Sequence, residues 1–222
     1  MSTVVLSCSS LKEFVLAAQA ECGTDYPVIF IDRKYHVEPE TMKERIEEAV
    51  RELPEDVDTV LVAMGFCGGA WDHVSFGRRV VIPKVDDCVS LLLNHEGTFE
   101  PNRKETGHLY LYESDPDDFS ALRFLRDRDA QEDVFGGMDP EFALRLMLEG
   151  YRNMDIIDTG LNDCYSEPYV AAAQEEADRI GADLDYAYGG IGMLMRLFSG
   201  EWEEGFLIAD PGQLIRHGDF FG

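Results

Sequence analysis

Three cysteines stand at equivalent places in the chain, each just past a short apolar run. Cys8 follows Thr3-Val4-Val5-Leu6, Cys67 follows Thr59-Val60-Leu61-Val62-Ala63-Met64, and Cys88 follows Val80-Val81-Ile82-Pro83. Thiolates are soft ligands: they select zinc or iron–sulfur clusters and reject magnesium and calcium. Three thiolates on one zinc leave a coordination position open, the arrangement of a reactive site. Three on a [4Fe–4S] cluster leave one iron without a cysteine. The residues alone leave zinc and [4Fe–4S] both open, because none of the spacings is a CxxC pair. Cys164 closes a fourth strand-end loop, Thr159-Gly160-Leu161-Asn162-Asp163-Cys164, and is an optional fourth ligand. Cys22, before Gly23, reads as filler at a helix end.

The neighbours of these cysteines also suit chemistry. Gly65, Gly68 and Gly69 surround Cys67, and glycine lets a backbone approach a ligand or cofactor closely. Thr159 and Gly160 are assigned the same role in the later loop. Asp86 and Asp87 precede Cys88, where an aspartate caps the following helix, holds a proton or ligates a metal. Cys67 and Asp87 are therefore the candidate catalytic residues. His73, in Trp71-Asp72-His73, has two readings, a pocket-facing side chain or the more common surface or structural histidine, while His36, His95, His108 and His217 carry no pattern. Asp72-His73-Val74-Ser75-Phe76-Gly77 has the wrong spacing for a corrinoid-binding motif. Gly189-Gly190-Ile191-Gly192 is not a dinucleotide fingerprint, and there is no P-loop.

For distant cysteines to meet, the elements around them must form one sheet edge. Strands are predicted at 3–7, 27–31, 58–64 and 79–83, with helices at 10–21 and from Glu38-Pro39-Glu40 to Pro54. Nearly continuous apolar strands are buried on both faces, as in parallel sheets covered by helices. The polar and charged stretch 98–150 reads as a helical insertion or lobe. Within it lie a short strand at 108–112, a helix start at Asp115-Pro116-Asp117-Asp118, a break at Gly136-Gly137 and a helix from Asp139-Pro140 to Leu148. The α/β rhythm resumes with a strand at 154–158, a helix over 166–180, a strand at 183–188, a helix to Phe198 and a last strand at 206–209. The prediction is one α/β domain over 1–222: a three-layer Rossmann/flavodoxin-like sandwich with a mostly parallel sheet. In such sheets ligands bind at the carboxyl ends of the strands. With strand order 2-1-3-4-5 the ends bearing Cys8, Cys67 and Cys88 are consecutive, about 10 Å across two strand spacings. With order 3-2-1-4 they are not.

Composition narrows the function. The 222 residues carry 44 acidic and 19 basic side chains, a net charge of −25. Nucleic-acid and anionic-membrane binding need clustered Lys and Arg, so both are excluded as expected partners. No apolar run approaches the ~20 residues that span a bilayer, and Met1-Ser2-Thr3 enters a strand without a basic leader. The expected location is cytoplasmic, where thiols stay reduced.

The first strand ending at Cys8, Gly65-Phe66-Cys67-Gly68-Gly69, Pro83 through Asp87-Cys88 with Leu91-Leu92-Leu93, Ile157-Asp158-Thr159-Gly160-Leu161 and the closing Asp210-Pro211-Gly212 together resemble the DUF1638 family of anaerobic bacteria and methanogens. The resemblance departs at Asp86 or Asp87, where the family often has His, at Gly69, where it often has Asn, and at Cys164, which is not a family residue. No activity comes with it. It implies a companion of corrinoid-dependent methyltransferase systems, hence a corrinoid protein or methyltransferase as partner and a place in one-carbon metabolism. The expected function is thus a thiolate-ligated metal or iron–sulfur protein acting on a small molecule at the sheet edge. The alternatives are a metal-free cysteine enzyme with racemase-like proton transfer, or an accessory protein that chaperones a cofactor.

Overall fold

The computed structural model describes residues 2–116, 119 and 139–221. The predicted helix start at Asp115-Pro116-Asp117-Asp118 runs out of these residues, and the break at Gly136-Gly137 lies wholly outside them. The chain divides into two compact units, 1–103 with 190–222, and 104–189.

The first unit is built on β1 (Ser2–Cys8), β2 (Val28–Ile31), β3 (Val57–Ala63), β4 (Arg79–Pro83) and β8 (Phe206–Ala209). Their order is β2-β1-β3-β4-β8. The first four are parallel, and β8 joins β4 antiparallel. This is a mostly parallel α/β sheet of Rossmann/flavodoxin type, with β1 beside β3 as convergence of the strand ends requires. Val5, Val60, Val62, Val81 and Ile82 are fully buried, as expected for strands covered on both faces. Helix α1 (Lys12–Cys22) begins behind a 3₁₀ turn at Ser9–Leu11 and stops at Gly23, which adopts the left-handed conformation of a helix C-cap. Helix α2 (Pro39–Arg51) places proline in its first turn and buries Met42, Ile46 and Val50 on one stripe. Helix α3 (Cys88–Leu93) follows β4 directly.

The second unit corrects the predicted organisation. Instead of a helical insertion over 98–150 on a single sheet, 104–189 holds its own parallel sheet, β5 (His108–Leu111), β6 (Asn153–Asp158) and β7 (Asp183–Tyr188), in the order β5-β6-β7. The strands were foreseen, but their sheet was not. The free edge of β4 is taken by β8, and β6 is flanked instead by β5 and β7. Helices α4 (Pro140–Met147) and α5 (Glu167–Ile180) belong to this unit. Its apolar cluster joins Leu111, Met154 and Ile156 to Tyr169, Ala173 and Ala177 of α5. The chain then returns to the first unit with α6 (Gly192–Ser199), which packs against α1, before β8 and the short α7 (Gly218–Phe221). No helix among the described residues is long and apolar enough to cross a membrane.

Candidate metal centre

The carboxyl ends of four neighbouring strands deliver four side chains. Cys8 is the last residue of β1 and pairs with Ile31, the last of β2. Beyond Ile31, the Asp32 carboxylate accepts from the Lys34 N–H at 3.0 Å and starts a 3₁₀ turn, Arg33–Val37. The Arg33 N–H donates to the Ser9 hydroxyl at 3.0 Å, which ties this turn to the end of β1. The turn carries His36 to Cys8, with Nε2 3.3 Å from Sγ. The Ser10 hydroxyl lies 3.0 Å from the same sulfur.

The loops after β3 and β4 are held together just as closely. The Phe66 N–H donates to the Val85 carbonyl and the Cys67 N–H to the Asp86 carbonyl, both at 2.8 Å. Gly65 sits where a Cβ would lie 2.6 Å from the Asp87 Cα, so only glycine allows this approach. The indole N–H of fully buried Trp71 donates to the Gly65 carbonyl at 3.1 Å. Cys67 then takes a positive φ of 50°, uncommon for any residue but glycine, and Gly68 and Gly69 follow, also at positive φ. The Phe66 ring packs against His217, Phe220 and Phe221. The Asp87 carboxylate accepts from the Ser90 N–H at 2.9 Å and caps α3, whose first residue is Cys88.

The outcome is a compact donor set. One ligand atom each from Cys8, His36 and Cys88 lies within 4.8 Å of the others, a group that could hold a metal ion. The Cys88 thiol hydrogen-bonds with both Cys8 and Cys67, so Cys67 adjoins the group without being one of the converged three. All three cysteines are buried. The bond to Cys88, burial and the neighbouring thiol push the Cys8 thiol far above its ordinary range. The Cys88 thiol is also pushed well up, by its bond to Cys67, burial and the charges of Cys67 and Asp87, against a lowering by the bond to Cys8. Burial disfavours the charged form of His36, but the Cys8 sulfur and the Asp87 carboxylate outweigh it, and the net direction is upward.

Sequence reasoning named Cys8, Cys67 and Cys88 but passed over His36. The available signal was positional: His36 follows β2, the strand beside β1 in the order that the cysteines themselves required. Gly65 acts as a packing glycine against the Asp87 backbone. A Cβ on Gly68 would lie 3.2 Å from the Pro39 ring of α2, whereas one on Gly69 would meet nothing within 4 Å.

Thr159, Gly160 and Cys164 lie in the second unit. The Thr159 hydroxyl donates to the Asn162 side-chain oxygen at 3.0 Å, and the Asn162 amide donates to the Ile157 carbonyl at 3.1 Å, so the loop after β6 is braced from within. Cys164, the optional fourth ligand, is a 1% exposed member of that unit's apolar cluster. It is not in the converged group.

A family model described as "Protein of unknown function (DUF1638)" matches residues 30–198. That span includes His36, Cys67 and Cys88 and begins after Cys8. No curated protein and no solved structure matches the chain.

Proposed function

The chain belongs to the DUF1638 family, and from that premise we propose that it is a metalloprotein whose Cys8, His36 and Cys88 side chains hold a single zinc-type ion, with Cys67 adjoining it. The observation that carries this reading is the convergence of three ligand atoms within 4.8 Å. Two thiolates on one tetrahedral zinc stand about 3.8 Å apart, given Zn–S bonds of ~2.3 Å. The group therefore needs little contraction to close on an ion. A [4Fe–4S] cluster puts its thiolates on separate irons, and a mixed Cys₂His set this tight favours one ion over a cluster. Imidazole with thiolate is a common zinc environment.

Such an ion would act as a Lewis acid toward a soft substrate atom, a thiol above all, at the position that three protein ligands leave open. The chain's own residues do the rest. Burial of Cys8 and Cys88 excludes water from the sulfurs. Ser10 supports Cys8, and Asp87 places negative charge near His36. The place in corrinoid-linked methyl transfer, with a corrinoid protein or methyltransferase as partner, belongs to this proposal through the family resemblance.

The test is reconstitution of anaerobically purified protein with zinc and, separately, with iron and sulfide. The expected result is one tightly held zinc per chain, lost in Cys88→Ser and weakened in His36→Gln. A brown protein with four irons per chain would replace zinc by a cluster. No stoichiometric metal under either condition would sink the reading.

A further inference from the structure

The loop after β6 borders a distinct feature of the second unit. Asp158 ends β6 and pairs in register with Tyr188 of β7, and two residues back Ile156 pairs with Tyr186. In-register partners in a parallel pair share a face, so Asp158, Tyr186 and Tyr188 lie on the same side of the sheet at its carboxyl edge. Tyr165 folds back from the loop and stacks on Tyr186, with centroids 4.9 Å apart and planes 18° from parallel. Its hydroxyl donates to the Asp158 carboxylate at 2.7 Å. The Asp158 carboxylate is thus bonded to one ring of a stacked tyrosine pair, with Tyr188 its in-register neighbour, and these rings are not core: Tyr165 is 63%, Tyr186 40% and Tyr188 78% exposed. Among the described residues, Asp158 pairs with no cationic side chain.

We propose that Asp158, Tyr165, Tyr186 and Tyr188 form a binding site for a small quaternary ammonium ligand. Ring faces attract cations through their quadrupole, and tyrosine cages with a nearby carboxylate suit quaternary ammonium groups. The hydrogen bonding favours a quaternary over a primary amine. The Tyr165 O–H occupies one Asp158 oxygen, and the Gly160 N–H occupies the other at 3.0 Å. With the Cys164 thiol also bonded to it, most of the carboxylate's roughly four acceptor sites are taken, so what it chiefly offers a ligand is charge, and a quaternary nitrogen brings charge without N–H groups to satisfy. The raised pKa of Tyr165, pushed up to about 12 by its bond to Asp158, keeps that ring neutral and its hydroxyl donating. The ligand lies where ligands of parallel sheets lie, beyond the strand carboxyl ends.

The test is titration of the full chain with choline and with its neutral isostere 3,3-dimethylbutanol, followed by NMR of the tyrosine resonances. Tetramethylammonium and methylammonium serve as the second pair. Choline should saturate in roughly the millimolar range and bind about tenfold tighter than the isostere, and tetramethylammonium should bind tighter than methylammonium. Tyr188→Ala should weaken choline about fivefold or more, whereas Tyr188→Phe, which keeps the ring, should not. Asp158→Asn, which can still accept from Tyr165, should reduce the preference for choline over the isostere to what the rings alone supply. Equal binding of choline and isostere, tighter binding of methylammonium, or no saturable shift would each overturn the proposal.

Discussion

The Cys8 sulfur stands 3.3 Å from Nε2 of His36, although 28 residues separate them. The contact is made by two adjacent strand ends and one tether, the Arg33 N–H on the Ser9 hydroxyl. It places His36 in the group that could hold a metal ion. His36→Gln should lower zinc affinity by about a hundredfold or more, since even groups one step removed from a metal are worth 10–100-fold. Competition with a chromophoric chelator measures it. An unchanged affinity would remove His36 from the centre.

Metal binding should depend steeply on pH. Cys8 and Cys88 both carry raised pKa values, so near neutrality the metal-free thiols are protonated. An ion must displace a proton from each, and apparent affinity should rise with pH, approaching ~10-fold per unit for each proton released. Two thiols give a limit of about a hundredfold per unit between pH 6 and 8. The metal-free protein has the opposite trend in stability. A thiol whose folded pKa is raised contributes stability that is intact below the unfolded value of about 8.5 and is lost as pH rises toward the folded one. Zinc titrations at three pH values, with denaturant melts of the metal-free protein from pH 7 to 10, check both signs.

Gly65→Ala should damage the centre without touching a ligand. The added Cβ would lie 2.6 Å from both the Cα and the nitrogen of Asp87, and backbone cannot swing aside as a side chain can. A forced shift of this kind costs roughly 1–3 kcal/mol, and it moves the turn that presents Cys88. Gly69→Ala meets no atom within 4 Å and should disturb the Cys88 turn less, although its own positive φ carries some backbone strain. Zinc affinity should fall further for Gly65→Ala than for Gly69→Ala, whose strain lies in its own backbone rather than against the Asp87 turn. The reverse order would show that the close loop contact is not what positions Cys88.

The strands and helices were legible because periodicity and turn residues mark them locally. Leu11, Phe14, Val15 and Ala18 recur at helical spacing, Gly23 ends the helix, and apolar runs mark β1, β3 and β4. What the sequence did not disclose was pairing. Nothing in Met154–Asp158 says that it pairs with His108–Leu111 rather than with β4, because a buried parallel strand looks the same in either sheet. The site was half legible for the same reason. The cysteines repeat a pattern that a reader can see. His36 sits in a turn whose placement depends on a hydrogen bond from Arg33 to Ser9 across the fold.

Asp87 carries two roles that one substitution pair can separate. Its carboxylate caps α3 through the Ser90 N–H, and its charge favours protonated His36. Asp87→Ala removes both and should cost about 1 kcal/mol of stability, the usual value of an N-cap. Asp87→Ser retains a good cap and removes the charge, so it should melt close to the parent. The His36 pKa, followed by its ring-proton shifts in the metal-free protein, should fall in both variants, because an opposite charge that favoured the imidazolium is gone. If Asp87→Ser restored stability and left the His36 titration unmoved, Asp87 would be a cap alone. If it melted as early as Asp87→Ala, the carboxylate would be holding the turn through more than Ser90.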